Sequence, residues 1–396
     1  MKVRHILLAA LIALVALTAA CTADPGPSSP PSDPPPPASV PPSETPIPTP
    51  EPTEAPSIPP TIAYEPATVP DTAQNSSTLS IVPGGDGLVA IGFDGAFGSL
   101  LWTSADGGRT WTDITPADFA SIGIASVVEY DGMLVGVGRG DTINVDAEQA
   151  AVYLSDDGVA WRKVETAEQL VGQMIDVVAT DDGLFAVGGV PGADSAGVWH
   201  STDAETWTRV GGDLEHAFLW SIAEGGPGLV AVGWRRNPEP DLAVWTSADA
   251  GQTWTVAPDP EGFAGFEATD VATLPDGTLA MVGSSFDGTG GRIWTSTDGA
   301  EWTIAMDDMD GVYARSLTLT DTGLLATGGG EDMNGRAWHS SNGVAWTALG
   351  DPLEGTFFTG AVATPDRVLL TGGTQAGTME TGIVAHAGVW LGVLGD

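Results

Sequence analysis

The stretch "WTSADAGQTWTV", Trp245 to Val256, decides the fold because it returns along the chain. It reappears as "WTSADGGRTWTD" from Trp102, "YLSDDGVAWRKV" from Tyr153 and "WHSTDAETWTRV" from Trp199. It comes back again as "WTSTDGAEWTIA" from Trp294 and "WHSSNGVAWTAL" from Trp338. Its serine falls at Ser104, Ser155, Ser201, Ser247, Ser296 and Ser340, at intervals of 44 to 51 residues.

A second signal runs in phase with the first. Apolar, Gly-bounded runs such as "GLVAIGF" from Gly87, "GLFAVGG" from Gly183, "GLVAVGW" from Gly228 and "RVLLTGG" from Arg367 occur seven times. Each follows a short apolar-polar alternation, for example "ASVVEY" or "IDVVAT". One unit therefore reads as four strands. Strands A and B are joined by a tight Gly turn, strand C ends in Trp or Tyr before the repeated Ser, and an Asp-bearing turn leads into strand D. Units of about 40–50 residues repeated radially are propeller blades, whose ring closure hides strand edges. The expected fold is all-β, a seven-bladed β-propeller of four-stranded antiparallel blades. A six-bladed ring with terminal strands left over is the competing count.

Closure is legible as well. The seventh unit places Trp390 at the strand-C position, and no strand D follows it. "IAYEPATV", Ile62 to Val69, parallels "VAWTALGD" from Val344, putting Tyr64 where other units carry their strand-D Trp. An N-terminal strand is expected to complete the last blade.

Ser104-x-Asp106-x-Gly108-x-Thr110-Trp111 and Ser247-x-Asp249-x-Gly251-x-Thr253-Trp254 resemble the Asp-box, the bacterial neuraminidase repeat. Four further copies are one residue shorter: Ser155, Asp157 and Trp161; Ser201, Asp203 and Trp207; Ser296, Asp298 and Trp302; and Ser340, Asn342 and Trp346, with Asn in place of Asp. The resemblance covers residues 62–396 and implies a sialidase-like propeller in which these turns are structural and lie opposite the ligand face. A short Asp accepting backbone N–H groups, a Gly with positive φ and a Trp filling the space between sheets account for the motif without a substrate.

The N-terminal region reads differently. Lys2 and Arg4 precede a 15-residue apolar run, Ile6 to Ala20, too short to span a bilayer and suited to a signal peptide over residues 1–20. "LTAAC" resembles a bacterial lipobox, with Thr18 at the place usually held by Leu, which implies cleavage before Cys21 and lipidation of its sulfur. An ordinary cleaved signal that leaves Cys21 as a stray thiol is the alternative. Cys21 is the only cysteine, so no intramolecular disulfide forms. Residues 21–61 are rich in Pro, Ser and Thr and read as an extended stalk, about 3 Å per residue. Together these place the chain on a bacterial cell membrane, lipid-anchored on the extracytoplasmic side.

With 52 acidic and 13 basic residues, the formal charge is −39. Such a surface repels nucleic acid and anionic headgroups. No transition-metal spacing appears, so neither metal nor cofactor is expected. Acidic clusters such as Asp307 to Asp310 suit Ca²⁺ in charge but lack the loop pattern with Gly and a final Glu. The chain is expected to be a monomer.

The candidate ligand site comes from the tryptophans. Of 14, six belong to strand C and six to strand D, leaving Trp220 and Trp234 in the fourth blade. Trp220 opens strand A and Trp234 closes strand B, so both are expected at the top rim, opposite the Asp-bearing turns, beside Arg235 and Arg236. Packing beneath a long loop "RRNPEPD" is the bland alternative. Positions equivalent to Trp234 include Phe93 and Arg139; Arg315 matches Trp220, with Tyr313 close by. Aromatic and guanidinium groups on an acidic protein suit a glycan or protein ligand. Asp176 and Asp270 share a strand-A position with Ser80, Ser126, Ser221 and Ser316 and are read as lining a hydrated channel.

The resemblance also implies an enzymatic alternative, a sialidase-like exo-glycosidase with three Arg for the sialate carboxylate, a Tyr–Glu nucleophile pair and an Asp acid/base. Arg139, Arg235, Arg315 and Tyr313 are the residues available for it. The Arg-Ile-Pro motif of that family is absent, and no Glu stands out as partner to Tyr313. A non-catalytic, surface-displayed binding or scaffold propeller is therefore the leading expectation.

Overall fold

Strand B of each unit is apolar at consecutive positions because it is packed on both faces. In blade 4, Leu229 and Ala231 join the core shared with blade 3, while Val230 and Val232 join the core shared with blade 5. Alternate side chains of one strand thus serve two different neighbours. The computed structural model describes residues 64–392 apart from short loop stretches, the longest being 141–148. The expected signal peptide, Cys21 and the whole of the stalk lie outside the described residues.

Seven antiparallel sheets follow in chain order, each running A-B-C-D. Blade 1 spans Ser77–Asp113, blade 2 Gly123–Lys163, blade 3 Gln173–Glu215 and blade 4 Ala217–Val256. Blade 5 spans Phe266–Met306, blade 6 Val312–Ala348 and blade 7 Thr356–Gly392. In blade 6 an extra two-residue strand, Leu353–Glu354, also pairs with strand C. The protein is a seven-bladed β-propeller, and the six-bladed count is excluded.

The core is divided into seven clusters, one at each interface between neighbouring blades. The strand-C aromatic always enters the cluster shared with the preceding blade. Trp199 packs with blade 2, Trp245 with blade 3, Trp294 with blade 4, and Tyr153 takes the same place in blade 2. Each of these four rings is at most 2% exposed, so the repeated aromatic is the wedge that seals one sheet against the next.

Closure uses the N-terminal strand. Tyr64–Pro66 pairs with strand C of blade 7, Tyr64 opposite Gly392 and Pro66 opposite Trp390. Trp102 opposes Asp113, two residues beyond Trp111, so Tyr64 holds the position expected of a strand-D Trp. Burial raises the Tyr64 hydroxyl well above its ordinary pKa. Beyond the strand, Thr68 N donates to Arg109 O (2.9 Å) and Trp111 N donates to Thr68 O (2.9 Å), fastening the segment to blade 1. On the inner side Thr78 Oγ1 donates to Gly388 O and accepts from Gly372 N, both at 2.7 Å, joining blade 1 to blade 7 again.

The repeated turns have the geometry expected of clamps. Asp106 Oδ1 accepts from Thr110 N (2.9 Å) and Arg109 N (3.0 Å), and Thr110 Oγ1 donates to Oδ2 (2.7 Å). Trp111 Nε1 donates to Gly108 O at 2.9 Å. Gly108 has φ 88°, a left-handed conformation costly for a side-chain-bearing residue. The Thr110 and Arg109 donors hold the Asp106 carboxyl down at about 2. In blade 6 the Asn342 amide oxygen accepts from Val344 N (2.9 Å) and Ala345 N (3.0 Å), which explains why Asn substitutes for Asp there.

Candidate functional site

Strand A is the innermost strand of each blade, and in all seven blades its pairing with strand B slips by one residue. The skipped residues are Leu79, Ala125, Ile175, Trp220, Thr269, Arg315 and Thr359. A bulge of this kind adds twist and re-aims a side chain. Trp220 and Arg315 thus occupy the same position in blades 4 and 6, as their sequence alignment implied.

Two residues earlier in strand A, Phe218 is the register partner of Trp234. Its ring lies 4.5 Å from Trp220 and is stacked on Trp234 at 6.4 Å. The two tryptophans are therefore joined through a third ring that the tryptophan count missed. Space for Phe218 is left by Gly189 of blade 3, where an added Cβ would stand 2.5 Å from the ring. All three aromatics are half-buried. Strand B runs through Arg236 and strand C starts at Pro240, so the turn between them is only residues 237–239. The long covering loop read from "RRNPEPD" does not exist.

Charged groups frame the rings. Trp220 Nε1 donates to Glu267 Oε2 of blade 5 at 3.3 Å. Burial raises the Glu267 pKa, opposed by the Trp220 hydrogen bond and the Arg315 charge of blade 6. The Arg315 guanidinium sits over Tyr313 at 4.9 Å. Glu267 occupies in blade 5 the register position that Phe218 and Tyr313 occupy in blades 4 and 6. It is the acid that inspection of the sequence failed to single out. Arg236 lies over Trp234 at 5.8 Å and is tied to Asp194 at 3.3 Å, which also contacts His216 Nδ1 at 2.7 Å. The Arg235 side chain has no ionic or hydrogen-bonding partner among the described residues.

Other candidates lie elsewhere on the ring. Phe93 ends strand B of blade 1, and Arg139 ends strand B of blade 2, where its carbonyl accepts from Tyr153 Oη at 3.1 Å. Arg139, Arg235 and Arg315 thus belong to blades 2, 4 and 6. Asp176 and Asp270 stand on strand A of blades 3 and 5, bridged by the Ser221 hydroxyl of blade 4 at 2.9 and 2.8 Å. Burial raises both carboxyl pKa values, and the Asp176 charge adds to the effect on Asp270, which reaches about 7. Among the described residues, no group of three or more His, Cys, Asp and Glu is placed to hold a metal ion. Asp307 is engaged by Arg292, while Asp308 and Asp310 lie outside the described residues.

What the arrangement can do chemically is stack and hydrogen-bond. Phe218, Trp220 and Trp234 offer aromatic faces, Glu267 offers acceptors, and Arg235 and Arg315 offer donors.

Comparisons with known proteins bear on the fold. No family model matches the chain, and no curated protein matches it. Among solved structures, a virginiamycin B lyase from Staphylococcus aureus is similar over 84% of this chain and 99% of its own, at 12% identity and a TM-score of 0.53. A mutant Trypanosoma rangeli sialidase displaying trans-sialidase activity matches 84% of this chain at 13% identity and a TM-score of 0.46. This chain spans only 59% of that sialidase. A Dyadobacter fermentans protein of unknown function matches 68% of this chain and 94% of its own, at 18% identity and a TM-score of 0.44. At these identities the likeness reaches the propeller fold and stops there.

Proposed function

We propose that this chain is a lipid-anchored, extracytoplasmic binding propeller that recognises a glycan or protein through the face carrying Trp220, Phe218 and Trp234. The observation that carries the reading is the three-ring stack at positions free of the repeat. Twelve tryptophans follow the blade period, whereas Trp220 and Trp234 do not, and both converge on Phe218 while remaining half-buried. Repeat packing does not call for rings there, and aromatic residues with Arg beside them are common anchors of binding energy. The charge of −39 argues against polyanionic partners such as nucleic acid.

The test is capture of glycans and cell-wall components on the immobilised monomeric protein, wild type against Trp234→Ala and Arg235→Ala. Each substitution is expected to weaken binding by more than about 1 kcal/mol while leaving the fold intact. Equal retention of every bound component by all three proteins would remove this face as the site.

One observation favours a second reading. Glu267 and Tyr313 hold equivalent positions in adjacent blades, with Arg315 acting on Glu267. Hydrolysis of a sialoside by the purified chain, abolished by Tyr313→Phe, would replace the binding reading with a sialidase-like exo-glycosidase.

A further inference from the structure

We propose that Asp176, Ser221 and Asp270 hold one shared proton in mildly acidic solution, and that this proton latches the innermost strands of blades 3 to 6 into a pH-sensitive unit. The argument starts from a single hydrogen. Ser221 Oγ lies 2.9 Å from Asp176 Oδ2 and 2.8 Å from Asp270 Oδ1, yet a hydroxyl has only one hydrogen to donate. If both carboxyls were ionised, one of these contacts would set lone pair against lone pair. A proton on one acid resolves it, with that acid donating to Ser221 and Ser221 donating to the other.

The remaining partners of the two acids are alike in kind, one further Ser hydroxyl and two backbone N–H groups each. Asp176 Oδ1 accepts from Ser126 Oγ (2.8 Å) and Val177 N (2.9 Å), and Oδ2 accepts from Ile222 N (3.0 Å). With Ser221 as a further donor, Asp176 is surrounded by donors and suits the ionised form. Asp270 accepts from Val271 N (2.8 Å) and Leu317 N (2.7 Å), is hydrogen-bonded by the Ser316 hydroxyl, and faces Asp176 across Ser221. What distinguishes Asp270 is the Asp176 charge across Ser221, which adds to burial in raising its pKa to about 7, so the proton is placed on Asp270.

These bonds do structural work between blades. Strand A is the inner edge of every sheet, so its backbone N–H groups lack a strand partner on the channel side. Asp176 of blade 3 satisfies Ile222 N of blade 4, and Asp270 of blade 5 satisfies Leu317 N of blade 6. Other titratable groups stand on the same or adjoining strands: Glu129 and Tyr130 on strand A of blade 2, Arg139 at the far end of its strand B, Glu224, Arg235 and Arg236 in blade 4, Glu267 in blade 5, and Tyr313 and Arg315 in blade 6. Among the described residues, the charge that acts most on Asp270 is that of Asp176, which raises its pKa.

The sign follows from linkage. A carboxyl with a raised folded-state pKa keeps its proton where the unfolded chain has lost it, so stability falls as pH rises from about 4 to about 7 and levels off above. Glu267 contributes with the same sign and His339, whose burial lowers its pKa, with the opposite sign. Comparison with a single variant cancels both.

The deciding measurement is infrared spectroscopy of the full chain labelled with ¹³C-aspartate. A label-shifted band of a protonated carboxylic acid is expected in the folded protein at about pH 6, vanishing with a midpoint near 7. No such band in the folded protein would overturn the proposal without recourse to any variant. Asp270→Asn should abolish the band and flatten the fall in melting temperature between about pH 5 and pH 8. A labelled acid band that persists in folded Asp270→Asn would also overturn it.

Discussion

Tyr64 and Gly392, the first and last residues of the described chain, are register partners in one sheet. The fourth strand of blade 7 is therefore supplied by the segment that enters the propeller. Ala67 and Val69, just beyond that strand, pack into the core between blades 7 and 1. Removing residues 22–60 is expected to leave the melting temperature unchanged, because the deletion touches none of these contacts. Extending it through Val69 should lower the temperature sharply by exposing the edge beside Trp390. Thermal melts of the two truncations decide the matter, and equal melting would refute closure by this strand.

Trp102 and Trp234 should respond in opposite ways to truncation. Trp102 is 1% exposed and packs against Leu369 and Val389 of blade 7, so Trp102→Ala should cost about 3–5 kcal/mol. Trp234→Ala removes a half-buried ring and should cost much less stability while impairing binding. Denaturant melts of both variants provide the check. If Trp234→Ala proved as destabilising as Trp102→Ala, the three-ring stack would be core.

Gly189→Ala tests the support of the site without touching its exposed faces. The added methyl would stand 2.5 Å from the Phe218 ring, which must then move away from Trp220 and Trp234. Weaker capture of ligand is expected, with a stability loss of about 1–3 kcal/mol from overpacking. Unchanged binding by the folded variant would separate Phe218 from the site.

The turn carboxylates set the acid limit of stability. Asp106, Asp157, Asp203, Asp249 and Asp298 are all held below the ordinary carboxyl range, chiefly by hydrogen bonds from their own loops. A lowered folded-state pKa gives stability that is present above about 4 and lost as pH falls through about 2. Melting temperature should therefore drop steeply below about pH 4. Asp106→Asn should blunt that drop, and an unaltered acid limb would remove Asp106 from the account.

The anchor is tested at Cys21. Wild-type protein is expected in the membrane fraction of cells, and Cys21→Ser in the soluble fraction or unprocessed. Membrane retention of a correctly cleaved Ser variant would exclude the lipid.

The parts legible in the sequence are those that the blade period repeats. Trp102, Trp199 and Trp245 recur because each seals one interface, and Tyr64 was placed by its equivalence to the strand-D tryptophans. Trp220 and Trp234 were legible by exclusion, as the two that broke the period. Phe218 and Glu267 were not, because their register position also holds Ser77, Gly123, Gln173, Tyr313 and Phe357, with no recurring type to align. The Ser221 bridge depends on three blades meeting around the channel. The blade period gives each of its residues a position but no neighbour across the ring.

The seven slipped positions of strand A have an evolutionary consequence. Leu79, Ala125, Ile175, Trp220, Thr269, Arg315 and Thr359 share one register slip yet range from small to large and from apolar to charged. Only the backbone irregularity is common to them, so selection can exchange one such residue without rewriting the aromatic wedges that hold neighbouring sheets together. The side chain at a slipped position is thus uncoupled from the architecture, and the span from Ala125 to Trp220 and Arg315 shows how wide that freedom is.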